Sequence, residues 1–257
     1  MSTFLQKTAA TLAALSVLLA HFFISHAPHP LTHLATPSLT QQTTPQKTLS
    51  LTFDADMTRG MQARLREGKV KEWYDPALVA FLRKEKIPTT VFMTGLFAET
   101  YPELAKSLGT DPLFSLQNHS FDHAAFESPC YGLAPLASDA EKRAEITKTQ
   151  DALKKIVGVH PTLFRYPGLC HNEHDDALVS EMGLSVSNGD IISGDAFAKN
   201  AQFVAETVIA RAHDGGEVVM HIGGHNAPVT GAALEIAVPL LRDAGYTFVF
   251  PVGVNRE

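Results

Sequence analysis

The sequence predicts an α/β fold, with a parallel sheet covered by helices. Three observations predict it. From Thr48 onward, strand-like runs alternate with helix-like ones, which is the pattern of repeated βα units. Several apolar runs end in polar, reactive residues, as strands do at the carboxyl rim of such sheets. The chain has 257 residues, 45% of them apolar, enough for one large domain with a sizeable core. Seven strands in this order either close as a barrel or stay open and doubly wound.

The elements follow in order. Candidate strands cover 48–54, 89–94, 114–117, 162–165, 184–187, 217–222 and 247–250. Candidate helices cover 75–86, 99–108, 138–157, 173–182, 200–214 and 230–244. Asp75 followed by Pro76 reads as a cap and a first-turn proline. Ser138 and Glu141 have capping-box spacing. Ala233, Ile236, Ala237, Leu240 and Leu241 form an apolar stripe, and Gly245 is placed to end that helix. Two segments break the alternation. Residues 57–74 carry Arg59, Arg64, Arg66, Lys69 and Lys71 with Trp73 and Tyr74. They shape a substrate groove or form a solvated excursion. Residues 124–137 carry Cys130, Gly132 and two prolines.

The formal net charge is -6, a mild acidity that argues against a nucleic-acid partner, which would favour a basic stripe. At the N-terminus, Lys7 precedes an apolar run from Thr8 to Ile24, as in an export signal. Pro28 makes Ser25-His26-Ala27 a poor cleavage site, and the run is near the lower limit for a membrane span. Residues 1–27 are therefore expected to be a signal peptide or membrane tether, and 28–47 a linker rich in Pro, Thr and Gln. The expected location is exported, either periplasmic or anchored facing outward. His26, His29 and His33 are expected to be linker residues rather than ligands. In an exported chain, Cys130 and Cys170 allow one disulfide.

The reactive residues collect at strand ends. The first strand ends Thr52-Phe53-Asp54-Ala55-Asp56, and spacing two puts both carboxylates on one side of an extended chain. The third runs into His119-Ser120-Phe121-Asp122-His123, a histidine pair that one helical turn would set toward one metal. The fourth ends Arg165-Tyr166-Pro167-Gly168. The fifth leads toward Asp195, and the sixth ends at His221. His225 and Asn226 either reach the pocket or, as the preferred reading, form a flexible loop, and His171 and His174 read as loop or helix-start residues.

These five segments resemble the five motifs of the polysaccharide deacetylase family, carbohydrate esterase family 4, over roughly residues 48 to 257. The resemblance implies a distorted (β/α) barrel in a catalytic domain spanning 48–257. It also implies a bound divalent metal, commonly zinc, and removal of N-acetyl groups from acetylated glycans. Carried over by position, His119 and His123 match the metal histidines and Asp54 the general base. Arg165 matches the arginine that orients the base, His221 the general acid, and Asp195 its partner. Two positions depart. Where the family has a second, adjacent aspartate as metal ligand, Ala55 stands, and Asp56 follows. Where it has a tyrosine after the arginine, Gly168 stands; the family uses a backbone N–H there. The expectation is Asp54 as base and Asp56 as third metal ligand, with the reversed pair as the rival. A small-amide hydrolase and a wall-binding relative without catalysis are the competing functions.

Overall fold

A computed structural model describes residues 46–254. The expected signal or tether (1–27), and the expected linker apart from Gln46 and Lys47, lie outside the described residues, as do His26, His29 and His33. Among the described residues, no helix is long and apolar enough to cross a membrane.

Among the described residues, eight strands form the sheet. They are β1 (Lys47–Ala55), β2 (Thr89–Met93), β3 (Phe114–Asn118), β4 (Leu163–Phe164), β5 (Ser185–Val186), β6 (Ile191–Ile192), β7 (Gly216–His221) and β8 (Tyr246–Phe248). A seven-strand path runs β5-β4-β3-β2-β1-β7-β6, and β8 pairs with β1 beside it. All pairings between these strands are parallel. The two-residue β6 is too short to show a period in sequence, so the expected seventh strand, 247–250, is instead β8, off the main path.

The helices are α1 (Arg59–Arg66), α2 (Pro76–Lys84), α3 (Gly95–Thr100), α4 (Pro102–Gly109), α5 (Asp139–Val157), α6 (Glu173–Glu181), α7 (Ala201–Arg211) and α8 (Thr230–Asp243). The single helix expected over 99–108 is two helices, because Pro102 starts a new one after Tyr101 leaves helical geometry. Asp75 accepts the Ala77 N–H at 2.8 Å, as a cap does. Ser138 accepts from Glu141 at 3.3 Å. In α8 the buried stripe is Ala233, Leu234, Ala237, Val238 and Leu241. Leu240, expected within that stripe, is exposed. Gly245, with φ 87°, ends the helix in a conformation that favours glycine.

β1 shows why the sheet has two unlike faces. The carbonyls of Thr48 and Asp54 accept from Gly215 and Ile222, while those of Leu49 and Ala55 accept from Val249 and Thr94. Hydrogen bonding thus alternates between β7 on one side and β2 with β8 on the other. Side chains alternate too. Leu49, Leu51, Phe53 and Ala55 are fully buried in the core beneath the helices. Ser50, Thr52 and Asp54 point the other way. Arg165, one residue past β4, donates to Asp54 and Thr52 on β1 and to Glu217 on β7. In a flat sheet β4 and β7 would stand about 19 Å apart, at ~4.8 Å per step. One side chain spans them only because the sheet curls into a barrel-like trough with a polar interior.

Candidate active site

Asp54 ends β1 on the interior face, and Arg165 meets it there. Nη1 of Arg165 donates to Asp54 Oδ1 at 2.9 Å. Nη2 donates to Thr52 Oγ1 at 2.7 Å and to Glu217 Oε1 at 2.5 Å. Nε donates to the Ser187 carbonyl at 2.9 Å. The guanidinium also stacks over Phe92, 3.9 Å from its ring centre. Arg165 is fully buried, and a buried charge persists only with such a set of partners. Glu217 is held in turn by the Ser187 hydroxyl at 2.6 Å.

The next group lies one step along the rim. Asp56 Oδ1 lies 3.3 Å from His119 Nε2 and 3.4 Å from His123 Nε2. The donor atoms of these three residues all fall within 4.8 Å of one another. The expected helical turn is absent. Residues 119–123 form a loop in which Ser120 (φ 63°) and His123 (φ 62°) take left-handed backbone, uncommon outside glycine. The surroundings enforce it. The first N–H groups of α3, on Gly95 and Leu96, donate to the Ser120 and Phe121 carbonyls. From α5, Glu145 Oε2 accepts the Phe121 and Asp122 N–H groups at 2.9 and 3.0 Å.

The donor set suits a divalent cation. His119 Nδ1 donates to the Arg165 carbonyl at 2.8 Å, which leaves Nε2 as the ligating nitrogen. Asp56 Oδ1 and His119 Nε2 are both buried with no hydrogen-bond partner among the described residues, a costly state for atoms with nothing to bind. Burial drives His123 down to about 4, helped by the neighbouring histidines and opposed by Asp56. Asp56 goes the opposite way to its own burial, because His123, His119 and His221 hold it well below the usual carboxylate range. A carboxylate oxygen and two imidazole nitrogens converging on one point are a metal donor set.

His221 and Asp195 form the opposite wall. Nδ1 of His221 bonds Asp195 Oδ1 at 2.9 Å, and its backbone N–H donates to Oδ2 at 2.7 Å. Thr230 and Ser193 hydroxyls complete the carboxylate's shell at 2.7 and 3.1 Å. Nε2 of His221 faces Asp56 Oδ2 at 3.6 Å. Burial opposes a charged His221, but Asp195, Asp56 and Asp54 outweigh it and raise the imidazole to about 10.

All seven residues expected at the site therefore meet at one end of the trough. Asn226, expected in a flexible loop, joins them, with Nδ2 at 3.4 Å from Asp56 Oδ2. His174 instead pairs with Asp139, and His171 stacks on Tyr166. Glu217 and Glu145 went unnoticed in sequence. For Glu217 a signal existed: it lies four residues before His221 on a strand, hence on the same face. For Glu145, in a helix 22 residues past the loop it holds, none did.

The two departures acquire physical reasons. Ala55 faces the helix-covered core, where a carboxylate would be stranded. Gly168 has φ 61°, and a Cβ there would lie 2.6 Å from Cys130 Sγ. Cys130 is bonded to Cys170, with Cα atoms 6.0 Å apart. The bridge thus occupies the space that a side chain at position 168 would need.

Comparisons with known proteins place the chain among described families. The family model described as polysaccharide deacetylase matches residues 41–187. The peptidoglycan-N-acetylglucosamine deacetylase PgdA of Listeria monocytogenes is 28% identical over 174 residues, covering 68% of this chain and 34% of that protein. The peptidoglycan-N-acetylmuramic acid deacetylase PdaC of Bacillus subtilis is 31% identical over 169 residues, covering 65% of this chain and 33% of that one. The chain thus matches about a third of the length of these relatives. A CE4 family pseudoenzyme from Bacillus anthracis shares the fold with a TM-score of 0.64 at 18% identity, over 81% of this chain and 64% of that one.

Proposed function

The chain belongs to the polysaccharide deacetylase family, and we propose that it is a metal-dependent hydrolase removing N-acetyl groups from an amino-sugar polymer of the cell surface, peptidoglycan foremost. One observation carries this reading. The Asp56–His119–His123 cluster has unpartnered buried donor atoms and sits between two complete hydrogen-bonded pairs, Asp54–Arg165 and His221–Asp195. Peptidoglycan is supported by relatives named as deacetylases of its two amino sugars. Export, through the apolar run before residue 25, belongs to the same reading, since that polymer lies outside the membrane.

Asp56, His119 and His123 would hold the cation, zinc being the expected ion. Bound there, it would polarise the acetamide carbonyl and acidify water. The rest falls to the chain's own groups. Asp54 has Oδ1 committed to Arg165, so Oδ2, 3.8 Å from His119 Nε2, is free to take the attacking water's proton. Water adds to the carbonyl carbon and the C–N bond breaks. The departing nitrogen needs a proton, and His221 supplies it from Nε2, because Nδ1 is committed to Asp195. Acetate and a free amino sugar result.

The test is metal content together with acetate release from a panel of acetylated glycans and small amides. Zinc at about one per chain, with acetate from glycans, is the expected result. Acetate from small amides alone would make the chain an amidohydrolase. A folded, zinc-loaded protein that releases none from any substrate would be the wall-binding relative.

A further inference from the structure

The basic segment at 57–74 is not absorbed by the hydrolysis just described. It holds five basic residues against two acidic ones in a chain of net charge -6. Two of those bases are spoken for: Arg59 pairs with Asp122 at 3.1 Å and Lys69 with Glu67 at 2.7 Å. Arg64 has no carboxylate within ion-pairing distance among the described residues. It is nonetheless held. Its guanidinium lies 5.6 Å from the ring centre of Trp73, and Nη2 lies 3.4 Å from His225 Nε2. The imidazole accepts there in its Nδ1–H form, and no other hydrogen bond from the guanidinium is made to the described residues.

This cation belongs to the rim of the site. Trp73 is buried, and its Nε1 donates to the Met61 carbonyl of α1 at 2.9 Å. It meets His225 edge-on at 5.4 Å. The loop carrying His225 is pressed against this wall. A Cβ on Gly223 would lie 2.5 Å from Asp75 Cβ, and one on Gly224 2.5 Å from the Trp73 carbonyl carbon. Asn226, next in chain, reaches Asp56. Arg64 is thus an unpaired, positioned guanidinium two contacts from the candidate metal ligand, on a molecule whose net charge repels anions.

We propose that Arg64, backed by His225, recognises a carboxylate carried by a sugar of the glycan, so that the chain prefers an acidic N-acetyl amino sugar over a neutral one. A guanidinium suits this because its planar fork matches a carboxylate. The inference rests on the deacetylase reading for its substrate class, and its test separates the two.

Peptide-free peptidoglycan strands, whose muramic residues bear free carboxylates, are compared with the same strands after reduction of those carboxylates to alcohols. Both are titrated calorimetrically into the zinc-loaded full chain, and acetate release from both is measured. The expected preference for the acidic strands is about tenfold, expressed mainly in Kd and KM. In Arg64→Gln the acid-to-reduced ratio falls toward one, and Arg64→Lys restores part of it. A ratio near one in the wild-type chain, or the same ratio in Arg64→Gln, overturns the inference. So does tighter binding of strands that keep their peptides, which would place the recognised carboxylate on the peptide. Acetate release without preference leaves the hydrolase standing and removes Arg64. Arg64-dependent binding with no acetate from any strand does the reverse.

Discussion

The two halves of the site differ in how complete they are. Arg165 uses Nε, Nη1 and Nη2 on four acceptors, and Asp195 accepts from four groups. Asp56 and His119, one step away and as deeply buried, leave Oδ1 and Nε2 without hydrogen bonds. Polar groups at equal depth should be equally satisfied if burial alone governed them. The difference separates what the fold finishes by itself from what the proposed metal would complete.

That contrast can be broken from either side. The largest effect should come from the finished half. Arg165→Met would strand the Asp54 and Glu217 carboxylates, and removing one partner of a buried pair costs about 3–5 kcal/mol. Urea unfolding should show that loss, and turnover should vanish with it. A stable variant would mean that water reaches the trough. Next, Asp54→Asn and Asp56→Asn should part company. Asp54→Asn keeps metal and loses about 10²–10⁴ in turnover. Asp56→Asn loses metal affinity, and excess zinc partly restores activity. The reverse pattern in metal binding and acetate release would exchange the two roles. A third measurement targets the unfinished half alone. Zinc at a hundred times its Kd should stabilise the wild-type chain by about 2.7 kcal/mol, read as a chelator-reversible rise in Tm that His119→Ala and His123→Ala abolish. A rise that survives both would move the metal elsewhere. The smallest effect belongs to Thr230→Val, which deletes one of the four donors to Asp195. About 1 kcal/mol of stability and a several-fold fall in turnover, with zinc retained, are expected. Zinc loss in that variant would show that the two halves are coupled.

Much of this was legible in sequence, and the reasons are local. Alternation at spacing two put Asp54 and Asp56 on one side of a strand end, and the displaced carboxylate beside Ala55 does reach the histidines. Caps such as Asp75 and terminators such as Gly245 act within a few residues of themselves, so they read correctly. The histidine pair was recognisable by type and spacing, but its conformation was not. Its left-handed turn at Ser120 and His123 is imposed by α3 and by Glu145, neither of which has a local signature. The loop at 223–226 reads as flexible because glycines usually are. Here Gly223 and Gly224 are glycine because Asp75 Cβ and the Trp73–Tyr74 backbone leave no room for a side chain.

By itself, the sequence determined the alternation of most strands and helices, the residue types at the strand ends and the pair of cysteines able to bridge. These depend on short-range periodicity and on chemistry carried within single side chains. Only the tertiary structure decided which polar residues share the trough, because curling the sheet brings β4 within one arginine's reach of β1 and β7. It also decided that Glu217 meets Arg165, that Asn226 meets Asp56, and that Arg64 meets no carboxylate among the described residues. Whether a charge is satisfied depends on the full set of neighbours within a few ångströms, and those neighbours come from elements up to 170 residues apart in the chain.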